Sequence, residues 1–315
     1  MINPNFDSEE KEKDFSWFEE EYEKSFIDLT KEPERPKPII SIGKYEDRGK
    51  TYDNPIFTEG EFSCISAPSK TYKSFFKSHL AAIYNSGSSK YFNQIKGYKT
   101  NEFACVDIDT EQGKFHAWKT FNRVVRMADN KVTGYYPFKL RHQTPEQRVD
   151  FVDALLASDK IKETIKVVFI DGVADLIPDS NDLVMSQEIA SKIMRWTDEY
   201  NMHVCVIIHN AYGSLKPTGH LGSTVVKKAE TVINLKPLYI NEDEFTGVIK
   251  VIHQFSRGSS FDDFHFKYDK TIGHLRECDE VGNTEEDLSN RNEFEYDNNL
   301  DVFKNPKNIE DDDPF

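Results

Sequence analysis

Residues 61–84 constrain the fold of this chain more than any other stretch. Phe62-Ser63-Cys64-Ile65 is an apolar run, and Ser66 to Ser69 form a turn of small residues. Lys73-Ser74 then opens a segment whose Phe75, Phe76, His79, Leu80 and Ile83 recur at helical spacing. A buried strand that passes through a short turn into a helix is half of a βαβ unit, so the rest of the chain must supply further strands beside it.

The chemistry that such a turn can perform follows from its geometry. Backbone N–H groups curl around an anion, and the helix N-terminus points its unsatisfied donors the same way. In a nucleotide phosphate-binding loop of this layout, Lys73 would reach the outer phosphates and the Ser74 hydroxyl would ligate Mg²⁺, while the backbone of Ser66, Ala67, Pro68, Ser69, Lys70, Thr71 and Tyr72 cradles the phosphates. The match to G-x-x-x-x-G-K-[ST] is imperfect, because Ala67 and Tyr72 stand where the pattern has glycine. Glycine supplies backbone angles that other residues adopt at a cost. Tyr72 therefore either finds a permissive geometry or marks a loop that does not bind ATP, and an ordinary strand-to-helix turn remains the alternative.

Several later segments deliver polar groups to the ends of apolar runs. Residues 102–112 end in Asp109-Thr110-Glu111-Gln112, and 165–171 end in Asp171. Residues 202–210 end in His209-Asn210. Helix-like stretches separate them at 114–127 and about 182–200, and Thr144-Pro145 is a helix start with Thr as cap. This alternation predicts a parallel sheet covered on both faces, with ligands at the carboxyl ends of its strands. A buried Asp171 is costly unless a metal ion or a hydrogen-bond donor meets it. Residues 45–60 read as a loop. So does 211–223, whose glycines, hydroxyls, Lys216 and His220 suit a mobile ligand-binding segment. Residues 247–256 and 261–268 alternate as antiparallel edge strands.

The net charge of −15 excludes a surface that grips nucleic acid everywhere, but the acid is concentrated at the two ends. Residues 1–37 read as an acidic arm with a docking helix around Phe15, Trp17, Phe18 and Tyr22, and 276–315 as an acidic tail. The domain between them spans 38–275. Cys64, Cys105 and Cys205 lie in apolar runs and read as reduced core thiols. No apolar run is long enough to span a membrane and no signal peptide is evident, so the expected location is the cytoplasm.

The order of these parts resembles the RecA-like ATPases, and most closely the RepA-like branch of hexameric helicases and their bacterial and phage relatives, over about residues 39–270. The resemblance implies an α/β fold with a mainly parallel central sheet flanked by helices and with antiparallel strands on its C-terminal side. It also implies ATP and Mg²⁺ as cofactors. Lys73 and Ser74 match the Walker A lysine and hydroxyl, Asp171 the Walker B acid, and Glu111 the glutamate that activates the attacking water. His209 and Asn210 resemble the sensor, and Arg257 stands where a basic residue reaches a neighbouring subunit's nucleotide. The glycine-rich segment takes the place of the DNA-contacting loop, with Ser214, Lys216, Thr218, His220, Lys227 and Lys228 as candidate DNA ligands.

The last residues, Asp311-Asp312-Asp313-Pro314-Phe315, resemble the acidic tip of single-stranded-DNA-binding proteins that docks on replication and repair enzymes. These resemblances imply an ATP-dependent motor or recombination ATPase on single-stranded DNA, working as a ring or filament. A strand-annealing recombinase without unwinding, a non-hydrolysing adaptor and a protein-remodelling ATPase stay open as alternatives.

Overall fold

The computed structural model describes residues 15–284 except 90, 101, 131, 163, 212–213 and 242–243. The acidic tip at 311–315 lies outside the described residues. Two units separate within the chain, 1–35 and 36–315. In the first, helix α1 (Phe18–Ser25) buries none of its residues. Phe18, Tyr22 and Phe26 line up as successive ring contacts along it, and Lys24 pairs with Glu20 at 2.7 Å.

The second unit begins with strands β1 (Pro38–Asp47) and β2 (Lys50–Thr58). The stretch expected to be a loop is therefore mostly strand. Arg48 and Gly49, at φ 49° and 75°, form a two-residue hairpin turn that was hidden because its first residue is not the usual Asn or Asp. Tyr45 stacks on Tyr52 across the ladder at 5.6 Å.

Strand β3 (Phe62–Ala67) runs into helix α2 (Lys73–Ser86), which is followed by β4 (Ser88–Ser89), β5 (Phe92–Gly97) and β6 (Ala104–Asp109). Next come α3 (Lys114–Met127), β7 (Tyr135–Lys139) and α4 (Pro145–Leu156). The start of α4 is fixed by a capping box in which Thr144 and Gln147 exchange side-chain and backbone hydrogen bonds. Then follow β8 (Ile165–Asp171), a 3-10 turn (Val173–Leu176), α5 (Leu183–Glu199) capped by Asp182, and β9 (His203–His209). The last described elements are α6 (Gly219–Lys228), β10 (Thr231–Tyr239), β11 (Phe245–Ser256), β12 (Phe264–Asp269) and β13 (His274–Cys278).

The central nine-stranded sheet has the order β13-β12-β11-β10-β3-β9-β8-β6-β7. From β10 to β7 neighbouring strands are parallel, and β11 to β13 add antiparallel pairs on the C-terminal side. A smaller four-stranded sheet, β2-β1-β5-β4, packs on the α2 side. Successive residues of each central strand enter different cores. Ile65, Val167, Phe169, Cys205 and Ile207 pack with α2 and the small sheet, while Cys64, Val168, Ile170, Val204 and Val206 pack with α4, α5 and α6. Burial of both faces explains why these strands read as continuous apolar runs. Each fully buried Ile, Val or Phe contributes about 1.5–3 kcal/mol relative to exposure.

The segment 211–223 is a loop only in its first half, because α6 begins at Gly219. A Cβ on Gly222 would stand 2.6 Å from the Pro217 ring, so this glycine permits close packing and is not a source of mobility. Cys64, Cys105, Cys205 and Cys278 form no disulfide among the described residues.

Candidate functional site

The phosphate-type loop, Asp171, Asp109 and His209 lie side by side because their strands end at the same edge. Ala67 pairs with His209 across β3 and β9, and Asp109 pairs with Asp171 across β6 and β8. The loop itself departs from ordinary backbone at two places. Lys70 and Tyr72 both occupy the left-handed region, at φ 59° and 58°. Tyr72 thus adopts the conformation that glycine supplies in the sequence pattern, which costs an L-residue about 1–2 kcal/mol. It leads directly into α2, whose first N–H groups have no helical partner.

Lys73 is only 7% exposed, and its ammonium donates to the Pro68 carbonyl at 2.9 Å and meets His209 Nδ1 at 3.0 Å. Burial pushes the ammonium down to about 8, against the pull of Asp171 and Glu111. The far nitrogen of His209 lies 3.5 Å from Glu111 Oε1. The lysine ammonium is the donor to Nδ1, and Nε2 faces the glutamate. The contact with His209 holds the Glu111 carboxyl below its ordinary range despite burial.

Glu111 reaches the cavity because Asp109 turns the chain. Its Oδ1 accepts from the backbone N–H groups of Glu111 at 3.0 Å and Gln112 at 2.7 Å. Asp109 Oδ2 and Asp171 Oδ2 are buried with no hydrogen-bond partner among the described residues. Burial raises both acids, Asp109 to about 6, while Lys77 and the Ser74 hydroxyl pull Asp171 back. Lys77, one helical turn beyond Lys73, is fully buried and donates to Asp107 Oδ1 at 2.6 Å, with Asp171 Oδ2 4.0 Å away. Tyr135 donates to the other oxygen of Asp107 at 2.7 Å. Burial presses the Lys77 ammonium down, and the carboxylates of Asp107, Asp171 and Asp109 together outweigh it and hold it above its ordinary value.

Part of this cluster opens onto a cavity of about 420 Å³. Of the residues that the sequence singles out, Ser69 to Ser74, Glu111, Asp171 and His209 line it. Gln112, Lys119, Arg123 and Arg141 line it too, and sequence reasoning missed them. The available signal was the spacing of His116, Lys119 and Arg123 along one face of α3. Arg123 is the most unusual of these. It is 9% exposed, its Nη1 has no hydrogen-bond partner among the described residues, and its guanidinium lies 3.3 Å from the Phe75 ring centroid. Burial brings it down to about 10.

Other expected residues are placed elsewhere. Ser66 and Ala67 are buried at the end of β3, where Ser66 Oγ accepts from Asn234 Nδ2 at 2.9 Å. Asn210 does not line the cavity, and both of its side-chain polar atoms are buried without a partner among the described residues. Arg257 lies at the opposite, amino edge of the sheet, where its Nη1 bridges both Glu61 oxygens at 2.8 and 3.1 Å. The six proposed DNA ligands do not form one patch. Ser214, Lys216, Thr218 and His220 follow β9 at the carboxyl edge, whereas Lys227 and Lys228 end α6 at the amino edge near Arg257.

No family model and no curated protein sequence matches this chain. Among solved structures it is similar to a chain described as an ATPase domain, with a TM-score of 0.50 over 70% of this chain and 86% of that one, at 13% identity. The fold is RecA-like. At this identity the likeness speaks for the RecA-like architecture alone: a mainly parallel sheet, helices on both faces, and antiparallel strands on the C-terminal side. Among the described residues no three His, Cys, Asp or Glu side chains form a ligand set, so a cation in this cavity would need oxygens from a ligand or water. Among the described residues no helix is long and apolar enough to cross a membrane.

Proposed function

We propose that the cavity binds ATP with Mg²⁺ and that the protein is an ATPase acting as a motor or recombination factor on single-stranded DNA. The observation that carries this reading is the imbalance of charge in the cavity. Lys70, Lys73, Lys119, Arg123 and Arg141 face it, with Glu111 and Asp171 as the acids among its lining residues. In a chain of net charge −15, such an excess of cations, with Arg123 buried and lacking a carboxylate among the described residues, calls for a ligand with several negative charges.

Lys73 and the first amides of α2 would take the outer phosphates. The Ser74 hydroxyl and the unpartnered Asp171 Oδ2 suit Mg²⁺, which when bound would neutralise charge on the phosphate oxygens. Glu111, kept ionised by His209, would orient and polarise a water for in-line attack. The aromatic and guanidinium end of the cavity, Phe75 with Arg123, suits a planar base.

A short route joins this site to the proposed DNA segment. The Thr218 N–H donates to the His209 carbonyl at 2.9 Å, and Asn234 Nδ2 binds both Ser66 Oγ and the Leu215 carbonyl at 2.9 Å. Loss of the outer phosphate, felt at His209, would therefore be passed to Ser214, Lys216, Thr218 and His220. Arg257, remote from its own chain's cavity, would serve a neighbouring copy in a ring or filament. The tip at 311–315 would dock on a replication or repair protein.

The test is ATP turnover by the full chain with and without single-stranded DNA, beside Glu111→Gln. DNA-stimulated turnover that falls by about 10²–10⁴-fold in the variant, with ATP binding retained, is the expected result. Absence of ATP binding would leave a RecA-like scaffold without nucleotide chemistry and overturn the reading.

A further inference from the structure

Tyr72 is the residue at which this loop departs most from the phosphate-loop pattern, and its ring has a partner far along the chain. At φ 58° and ψ 25° it holds the turn that aims the start of α2 at the cavity. Nothing in its backbone favours that conformation. Its ring, however, stacks on that of Tyr268 in β12, with centroids 6.0 Å apart and planes 2° from parallel. Phe75 meets both rings edge-on, at 5.5 Å and 5.4 Å, and Arg123 covers the face of Phe75. Tyr268 is in turn held by pairing with Leu275, a fully buried residue of β13.

We propose that Tyr268 is a positioning residue for phosphate binding: by stacking on Tyr72 it clamps the loop in the left-handed turn that presents Lys73 and the first amides of α2. The purpose of the clamp rests on the nucleotide reading above, but its geometry does not. The terminal β12–β13 hairpin thereby stabilises a backbone conformation for which a glycine would need no help. Replacing Tyr72 by glycine should make the loop indifferent to residue 268, and that conditional effect separates a clamp from a direct ligand contact.

The experiment compares the full-length wild type, Tyr268→Leu, Tyr72→Gly and the double variant, with Tyr268→Phe as the form that keeps the ring. Leucine retains apolar bulk in β12, so the fold survives loss of the stack. Two readouts are taken: calorimetric binding of sodium tripolyphosphate with Mg²⁺, a probe with no base for Tyr268 to touch, and hydrogen exchange of the amides of residues 71–76 in the free protein. Tyr268→Leu should weaken tripolyphosphate about tenfold and speed exchange, while in the Tyr72→Gly background it should change affinity by less than about twofold. Tyr268→Phe should behave as wild type.

Equal losses in both backgrounds, or unchanged exchange in Tyr268→Leu, would overturn the clamp. A wild type that fails to bind tripolyphosphate would instead defeat the nucleotide reading. In that case the exchange comparison alone decides whether Tyr268 holds the turn.

Discussion

The two edges of the parallel sheet treat charge in opposite ways. At the amino edge, charged groups find partners within the chain. Arg257 forks onto Glu61, and the Glu230 carboxylate accepts from the Thr58 hydroxyl at 2.6 Å and the Thr58 N–H at 3.2 Å. His203 donates to the Thr58 carbonyl at 2.9 Å and is kept neutral by burial, its other nitrogen unpaired but uncharged. At the carboxyl edge, among the described residues, Arg123 has no carboxylate, and Asp109 and Asp171 each leave an oxygen without a hydrogen-bond donor, although the Lys77 ammonium stands 4.0 Å from that of Asp171. Both edges are built from the same strands. A folded chain does not leave buried charge unpaired without cause, so the incomplete edge is the one shaped for something outside the chain.

The largest break in this contrast should come from Lys73→Ala. Turnover should fall by at least about 10²-fold and nucleotide binding should collapse, with thermal stability nearly unchanged because the ammonium is already burdened by burial. Calorimetric titration and a melting curve measure both. The same group sets a pH limit in the wild type. Lys73 loses its proton as pH rises through about 8, so polyphosphate affinity should weaken above that pH, with protons taken up on binding.

A smaller effect sharpens the comparison at Arg123. Arg123→Met removes a buried cation that has no acid partner, so the melting temperature should stay the same or rise while ATP affinity drops about tenfold. A clear loss of stability would mean that the Arg123 guanidinium supports the fold and would overturn the contrast between the edges.

The smallest effect belongs to Glu230. Burial raises its carboxyl to about 7, so the native protein holds an extra proton between roughly pH 4.5 and 7. The stability this contributes is complete below pH 4.5 and is lost as pH rises through 7. Glu230→Gln keeps an acceptor for Thr58 and should flatten the stability profile across that window without changing nucleotide binding. Melting temperatures across the pH series, read beside the wild type, decide the point.

The legible parts of the site were those in which function and secondary structure coincide. Asp109, Glu111, Asp171 and His209 end apolar runs, and a run that ends in a polar residue announces a strand end. Lys119, Arg123 and Arg141 sit on a helix face and a loop, where cations are ordinarily solvated, and only the packing of α3 beside α2 turned them toward a cavity. Arg48-Gly49 concealed a hairpin because its turn chemistry is uncommon. Gly222 suggested mobility because the sequence could not reveal Pro217 against it.

By itself the sequence determined the alternation of strand and helix, the doubly covered sheet and the edge at which polar residues gather, since these follow from local periodicity and burial. The tertiary structure decided which charges remain unpaired, that His209 joins Lys73 to Glu111, and that a tyrosine can stand where glycine is usual. Each of these depends on groups far apart in sequence: Lys73 and His209 are brought together by the pairing of β3 with β9, and Tyr72 is held by a ring from β12. Local propensity carries no record of such partners.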